Sequence, residues 1–539
     1  MYCLRWMRLW RVAEKKPTYQ ISATLFLRAL GFIYLVAFLS LWSQLDGLIG
    51  SGGILPAKTF LGQVATYYES QSPPQSPFWE VPTLAWLGSS DAQLKTLCAI
   101  GTLGSLLLIF GFFPLPMLML LWGCYLSLFH VGQIFLSFQW DILLLETGFL
   151  AIFLAPLARS RCFTDRPSPR LALWLMWWLL FRLLFESGVV KLSWNNGSDL
   201  TLNNTWETLT ALQFHYWTQP LPLSTAWYAQ QLPEWLQKVS VLFVFVIELS
   251  FPFLIFAPPR MRRVASAGFI FLMIVITATG NYTFFNLLTI LLAMLLLDDA
   301  CWPSRFRLRQ THSFSVFWVD WQQKRTYILI PFAMFALFIG GLQIYSALWP
   351  TTAWSREAIN KMNPRQWQLV NSYGLFRQMT ESRPEIIIEG SRDGKTWKMY
   401  DFCFKPGNLR QRPRLAAPHQ PRVDWQMWFE ALRWERVYQA TGNMDLRYAS
   451  PWFVSFIQRL LERQPAVIEL LCADGFAKEP ADLSFFRIAL YQYRFTDRTE
   501  SLIDGTWWHR RLEWRSPTYR VSRTKAGLLE IRPQQNEFE

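Results

Sequence analysis

Between residues 22 and 349 this chain carries apolar runs that recur at the length of a membrane span, and after 350 it stops carrying them. In hydrocarbon every backbone N–H and C=O must be satisfied within the protein, and a helix needs about 20 apolar residues to cross. Nine such spans are placed, at roughly 22–42, 93–113, 115–138, 141–157, 171–191, 236–257, 263–279, 281–298 and 327–349. The fourth, seventh and eighth are short enough that a re-entrant or tilted segment can replace one. Beyond 350, charge alternates with short apolar runs, as in a water-facing domain. The expected fold is a polytopic α-helical membrane bundle of about nine spans, residues 1–349, followed by an extracytoplasmic α+β domain, residues 350–539.

Orientation follows from Lys and Arg, which stay on the cytoplasmic side. They gather at Arg5, Arg8, Arg11, Lys15 and Lys16, at Arg159, Arg161, Arg166 and Arg170, at Arg260, Arg262 and Arg263, and at Arg305, Arg307, Arg309, Lys324 and Arg325. With nine spans these all fall on one side, which puts the 43–92 and 192–235 loops and the C-terminal domain outside the cytosol. The net charge of +14 is then partly topological, and no nucleic-acid motif accompanies it, so a nucleic-acid partner is not expected. The run Ser22 to Trp42 is too long for a signal-peptide core and reads as a retained anchor.

The seven cysteines show no C-x-x-C and no companion His at metal spacing, which argues against a zinc or thioredoxin-like centre, and no metal site is expected. Cys403 and Cys472 are the two in the extracytoplasmic part, as a disulfide or as two buried thiols. Asn196, Asn203 and Asn281 open glycosylation sequons, the last too close to the membrane to be a good acceptor.

Ionisable residues inside spans are costly unless paired, and so mark a polar interior. Arg182 and Glu186 are four apart on one helical face and are expected to pair, with Asp141 or Glu146 as a further partner. Asp141 and Glu146 are five apart, so they form no dyad, and a pairing with Arg28 or Arg182 is expected. Lys191 sits at the outer edge of its span and either snorkels to the interface or works inside. Glu248 and His130 stand alone in apolar spans. In the loop ALQFHYWTQP, Ala211 to Pro220, the residues His215, Tyr216, Trp217 and Gln219 either line a cavity mouth or belong to an interfacial aromatic belt.

In the C-terminal part, PEIIIEG and KTWKMYDFCF read as two strands about a Gly-containing turn, and YQYRF and WWHRRLEW as further strands. Helical spacing runs from Asp424 to about Ala440 and again from Pro451. Asp424 opens the first of these helices and is expected to cap it, while Trp425, Trp428 and Phe429 share a face. That face either holds the helix to the sheet or contacts a client protein.

There is no G-x-S-x-G, P-loop or G-x-G-x-x-G. The strings FRLLFESGVVKL, ALQFHYWTQPLP, VIELSFPFLIF, GNYTFFNLLTI, VNSYGLF, RPEIIIEGS, YDFCFKPG, PHQPRVDWQMWFEAL and YQYRFT follow in order and spacing the pattern of the lipase maturation factor family, which this chain resembles from about Trp140 onward. The resemblance implies a membrane protein of the endoplasmic reticulum, or of the inner (cytoplasmic) membrane in a bacterium, whose extracytoplasmic domain helps secreted lipases fold and assemble. Its implied partners are membrane lipids and a secreted client such as a lipase. A second likeness is confined to GVVKLSW, Gly188 to Trp194, which is similar to the helix of vitamin K-dependent carboxylase-like membrane proteins. It implies Lys191 as a catalytic base acting on a lipid or quinone-like ligand; no other cofactor is identified. The maturation factor is the reading preferred, and the enzyme its alternative.

Overall fold

The computed structural model describes residues 17–71, 76–156, 169–193, 204–303, 316–472, 483–523 and 529–533. The basic clusters at 5–16, 159–166 and 305–309 and the sequon asparagines Asn196 and Asn203 lie outside these residues. Among the described residues, seven helices are long and apolar enough to cross a membrane. They are α1 (Gln20–Trp42), α2 (Asp91–Ile109), α3 (Pro114–Val131), α5 (Arg170–Leu192), α7 (Glu234–Phe245, continuing in tighter and wider turns to Phe256), α8 (Pro259–Thr279) and α10 (Val316–Leu348). The fourth and eighth expected spans are short helices, α4 (Gln139–Leu154, 16 residues) and α9 (Phe285–Met294, 10 residues).

A polar residue explains why α9 is short. Asn281 accepts from the backbone N–H of Ala416 (2.7 Å) and Ala417 (3.0 Å), and its amide donates to the carbonyls of Leu221 and Arg414. Both ends of that side chain are committed to other segments, so the chain enters the helix only at Phe285. Pro252 shapes α7 similarly: it has no N–H to close a regular turn, and a π-helical turn over Val246–Ser250 precedes it and carries Glu248 inward.

Two ends of the bundle can be told apart. At one, the Asp299 carboxylate accepts the N–H groups of Gln20 (3.1 Å) and Ile21 (2.8 Å) at the start of α1, where the helix dipole favours an anion. Arg263 pairs with Asp298 at 2.9 Å, and Arg262 lies over the rings of Tyr19 and Trp177. At the other end, Ser40 of α1 and Gln44 just beyond it bond to His419, Gln420 and Arg422 of the C-terminal domain.

That domain is a six-stranded antiparallel sheet, β1 (Pro384–Ser391), β2 (Lys398–Met399), β3 (Phe485–Phe495), β4 (Trp508–Arg515), β5 (Tyr519–Arg523) and β6 (Leu529–Pro533), in the order β2-β1-β3-β5-β6 with β4 also on β3. Helices α11 (Arg422–Thr441) and α12 (Pro451–Leu461) pack with it, Trp434 meeting the rings of Phe453 and Trp514. The expected second strand is cut to two residues. YDFCF leaves the sheet because Cys403 is disulfide-bonded to Cys472 and the N–H groups of Phe404 and Lys405 go to Asp424.

Candidate functional site

The buried charges of the bundle and the C-terminal domain meet in one continuous junction. Its centre is the segment Val370–Gly374, which enters the bundle beside Glu146 and Arg182. Arg182, Glu146 and Glu186 are all 1% exposed. Arg182 forms its ion pair with Glu146 of α4 and donates to the Asn371 carbonyl at 2.8 Å and to Gln343 at 3.2 Å. Glu146 also accepts from the Asn371 N–H (2.8 Å), the Asn371 amide (3.0 Å) and the Tyr373 hydroxyl (2.8 Å). The expected Arg182–Glu186 pair is replaced by this arrangement. Glu146 approaches the guanidinium from a neighbouring helix, and Glu186 instead accepts the Tyr373 N–H at 2.8 Å. Burial and the neighbouring Glu146 carboxylate hold the Tyr373 phenol well above its ordinary pKa, so it stays a donor. Val370–Gly374 thus forms a plug in the bundle, and at Gly374 an added Cβ would lie 2.8 Å from Val190, so a larger residue would force that side chain to shift.

Asp141 finds its partner in the other domain, and neither Arg28 nor Arg182 serves it. Arg422, the first residue of α11, holds it through both terminal nitrogens at 3.0 and 3.1 Å, and Tyr125 donates to it at 2.5 Å. Arg422 also donates to the Phe135 carbonyl. The bidentate geometry is what lets a buried carboxylate remain satisfied.

Lys191 does not snorkel. It is 4% exposed, donates to Glu248 at 2.5 Å and to the Ser187 carbonyl at 3.0 Å, and lies 5.2 Å from the centre of the Trp206 ring. Glu248 is therefore not solitary. His130, the other residue read as solitary, bonds the Gln366 carbonyl at 2.7 Å. Lys191, Glu248 and Trp206 border a cavity of about 380 Å³ whose wall also includes His215, Tyr216, Tyr282 and Phe376.

The expected aromatic loop is a helix, α6 (Ala211–Thr218), followed by an extended exit. His215 is buried with its ring edge-on to Phe376, and burial, with the Lys191 charge added, lowers its pKa to about 4. Tyr216 faces the sheet and packs in one cluster with Ile387, Tyr491 and Trp227. Gln219 donates to the Tyr216 and Thr279 carbonyls and accepts from the Tyr282 hydroxyl at 2.7 Å. The carbonyls left over at the end of α6 are taken by Arg383 of the C-terminal domain, which donates to Trp217 (2.7 Å), Gln219 and Pro220 (2.8 Å). Arg383 is itself paired with Glu385 at 2.9 Å, and Glu385 with Lys405 at 2.9 Å.

Asp424 lies within the first turn of α11 and does not cap it. It accepts the N–H groups of Phe404 (2.9 Å) and Lys405 (3.0 Å) instead, and burial raises its pKa to about 6 despite those bonds. Trp425 and Trp428 neither hold α11 to the sheet nor face outward. Trp425 packs edge-on to Phe138, Trp140 and Tyr282, and the Trp428 indole donates to the Thr218 carbonyl at 2.8 Å. Trp425 and Trp428 are thus committed to the bundle, while Phe429 on the same face is 44% exposed.

Reasoning from residue types missed Asn371, Tyr373, Arg383 and Arg422, although each lies in a string that carried the family resemblance. Polar residues in the sequence of a water-facing domain ordinarily lie at its surface, so nothing in their type signals burial.

Apolar helices of spanning length around neutralised interior charges, capped by an α+β domain that supplies part of the neutralisation, define a polytopic integral membrane protein. The Lipase maturation factor transmembrane domain matches residues 21–304 and the Lipase maturation factor C-terminal domain matches 369–516. The chain belongs to the lipase maturation factor family. Among its relatives, Lipase maturation factor 2 of Gallus gallus is 36% identical over 593 residues, covering 90% of this chain and 79% of the relative. Lipase maturation factor 2 of Homo sapiens is 36% identical, with 91% and 81% covered, and Lipase maturation factor 1 of Homo sapiens 31% identical, with 92% and 87% covered. No solved structure matches the chain.

Proposed function

We propose that this protein promotes maturation of a secreted lipase, holding exposed apolar or dimerisation surface of the partly folded client without a covalent step. The observation that carries the reading is family membership over nearly the whole chain, both domains included. The C-terminal domain, from about residue 350, is the client-facing module and lies outside the cytosol, in the endoplasmic reticulum lumen of a eukaryotic cell. Its position at the end of the bundle opposite the Arg262, Arg263 and Asp299 end supports that orientation. With Trp425 and Trp428 committed to the bundle, the client-binding surface is assigned to β4, which pairs with β3 and exposes Leu512, and to α13 (Arg498–Asp504), which exposes Leu502 and Ile503.

The test is secretion of active lipase from cells lacking the protein, complemented by the full chain or by Leu502→Asp with Leu512→Asp. The double variant should fold, reach the membrane and fail to restore secretion. Full restoration would remove this surface from the function.

The alternative is an enzyme of the bundle acting on a lipid or quinone-like molecule with Lys191 as base, and the position of Lys191 at the cavity wall favours it. Complementation by Lys191→Met with Glu248→Gln, which removes both charges together, separates the two readings. A maturation factor tolerates the exchange; an enzyme using Lys191 does not.

A further inference from the structure

The cavity beside Lys191 has an outlet. Val239 and Phe243 on α7 and Phe271 and Val275 on α8 line it and are also 42–58% exposed on the outer surface of the bundle. It therefore opens sideways, between α7 and α8, onto the face that a bilayer covers. Its walls are otherwise overwhelmingly apolar, and its size is that of ordinary small-ligand pockets. A methylene takes about the space of one water, ~30 Å³, so about a dozen fit.

The inner end of the cavity is polar but neutral. Lys191 and Glu248 cancel each other, so neither an anionic nor a cationic group gains there without displacing a buried partner. The unsatisfied group is His215, whose Nδ1 has no hydrogen-bond partner among the described residues. Its tautomer follows from its neighbours. The Gln219 amide nitrogen is taken up by two carbonyls, so its Oε1 accepts the Tyr282 hydroxyl proton. The Tyr282 oxygen must then accept from His215 Nε2 at 3.2 Å. Nε2 carries the hydrogen and Nδ1 is left with a lone pair, covered in the cavity wall and met by a ligand once the His215 ring turns. With its pKa near 4, the ring stays neutral at physiological pH. A buried acceptor without a donor is costly, and what it lacks is an O–H or N–H.

We infer that the cavity binds a membrane lipid through one hydrocarbon chain entering between α7 and α8, with a neutral hydroxyl at its polar end donating to Nδ1 of His215. The site does not depend on the maturation role, and it is the cavity in which the alternative reading places its substrate, but it requires no chemistry at Lys191.

The test uses the full chain in phosphatidylcholine nanodiscs with oleyl alcohol carrying a diazirine in its chain, followed by mapping of the crosslinked residues. Crosslinks are expected on the cavity wall, at Ile276, Phe285 or Phe376. Unlabelled oleyl alcohol should compete about tenfold better than its methyl ether, which cannot donate, as one hydrogen bond to a buried acceptor commands. In His215→Leu that preference should vanish while crosslinking persists. Ser240→Trp, which fills the cavity, should abolish crosslinking, and Ile276→Trp serves if that variant does not reach the membrane. Crosslinks confined to the outer faces of the helices, or retained in the filled variant, would overturn the site. Equal competition by alcohol and ether would overturn the hydroxyl.

Discussion

Asp141 and Arg422, 281 residues apart, form a bidentate ion pair at 3.0 and 3.1 Å in which both side chains are at most 1% exposed. One belongs to the membrane bundle and the other to the C-terminal domain. Removing one member of a buried pair strands the other at a cost of about 3–5 kcal/mol, whereas removing both is far milder. Arg422→Met should lower the thermal stability of the full chain and expose the C-terminal domain to protease. Adding Asp141→Asn should recover most of the loss. Stability equal in the two variants would mean that the pair does not dock the domain.

The same logic applies inside the bundle. Arg182→Met should cost about 3–5 kcal/mol, and the loss should be relieved by Glu146→Gln rather than by Glu186→Gln. Detergent-solubilised yield and melting of the three variants decide it. Rescue by Glu186→Gln alone would restore the helix-face pair that spacing suggests.

Trp425 and Trp428 should separate. Trp425→Ala removes a 4%-exposed indole from the rings of Phe138 and Trp140 and should cost about 3–5 kcal/mol, as large aromatic truncations do. Trp428→Phe loses chiefly one hydrogen bond to Thr218, about 1 kcal/mol. Melting of the full chain measures both, and equal losses would put the two indoles in equivalent roles against the structure.

Acid should act on two groups in opposite directions. His215 titrates near 4 against an ordinary 6.5, so between those values the unfolded chain takes a proton that the folded one refuses, and stability falls as pH falls. Asp424 titrates near 6 against an ordinary 3.8, so in that interval the folded chain holds a proton that the unfolded one has lost, and stability rises as pH falls. His215→Gln should therefore flatten the acid loss of melting temperature between pH 6.5 and 4, and Asp424→Asn should steepen it. Identical profiles in both variants would contradict the assignment.

The two ends of the bundle predict two labelling sides. In a background with Cys3, Cys162 and Cys301 replaced by Ser, Ser70→Cys and Thr441→Cys should react with an impermeant maleimide from the extracytoplasmic side and Arg260→Cys from the cytosol, all three positions being exposed. Labelling of all three from one side would contradict the topology.

Hydropathy by itself determined that this is a membrane bundle followed by an α+β domain, because span length and strand alternation are local properties of the chain. It also marked Arg182, Glu186, Glu146, Asp141, Lys191 and Glu248 as interior charges, since a charge in an apolar run is conspicuous wherever it goes. What the tertiary structure alone decided was who pairs with whom. Helical spacing suggested Arg182 with Glu186, but Glu146 reaches the same guanidinium head-on from α4, and Glu186 is left for a backbone N–H of the plug. Lys191 lies near the end of its helix, and only the π-helical turn before Pro252 brings Glu248 to it. Arg422, Arg383 and Tyr373 look in sequence like residues of a water-facing domain. Their burial depends on that domain folding against the bundle, a relation between segments some hundreds of residues apart to which no local pattern is sensitive.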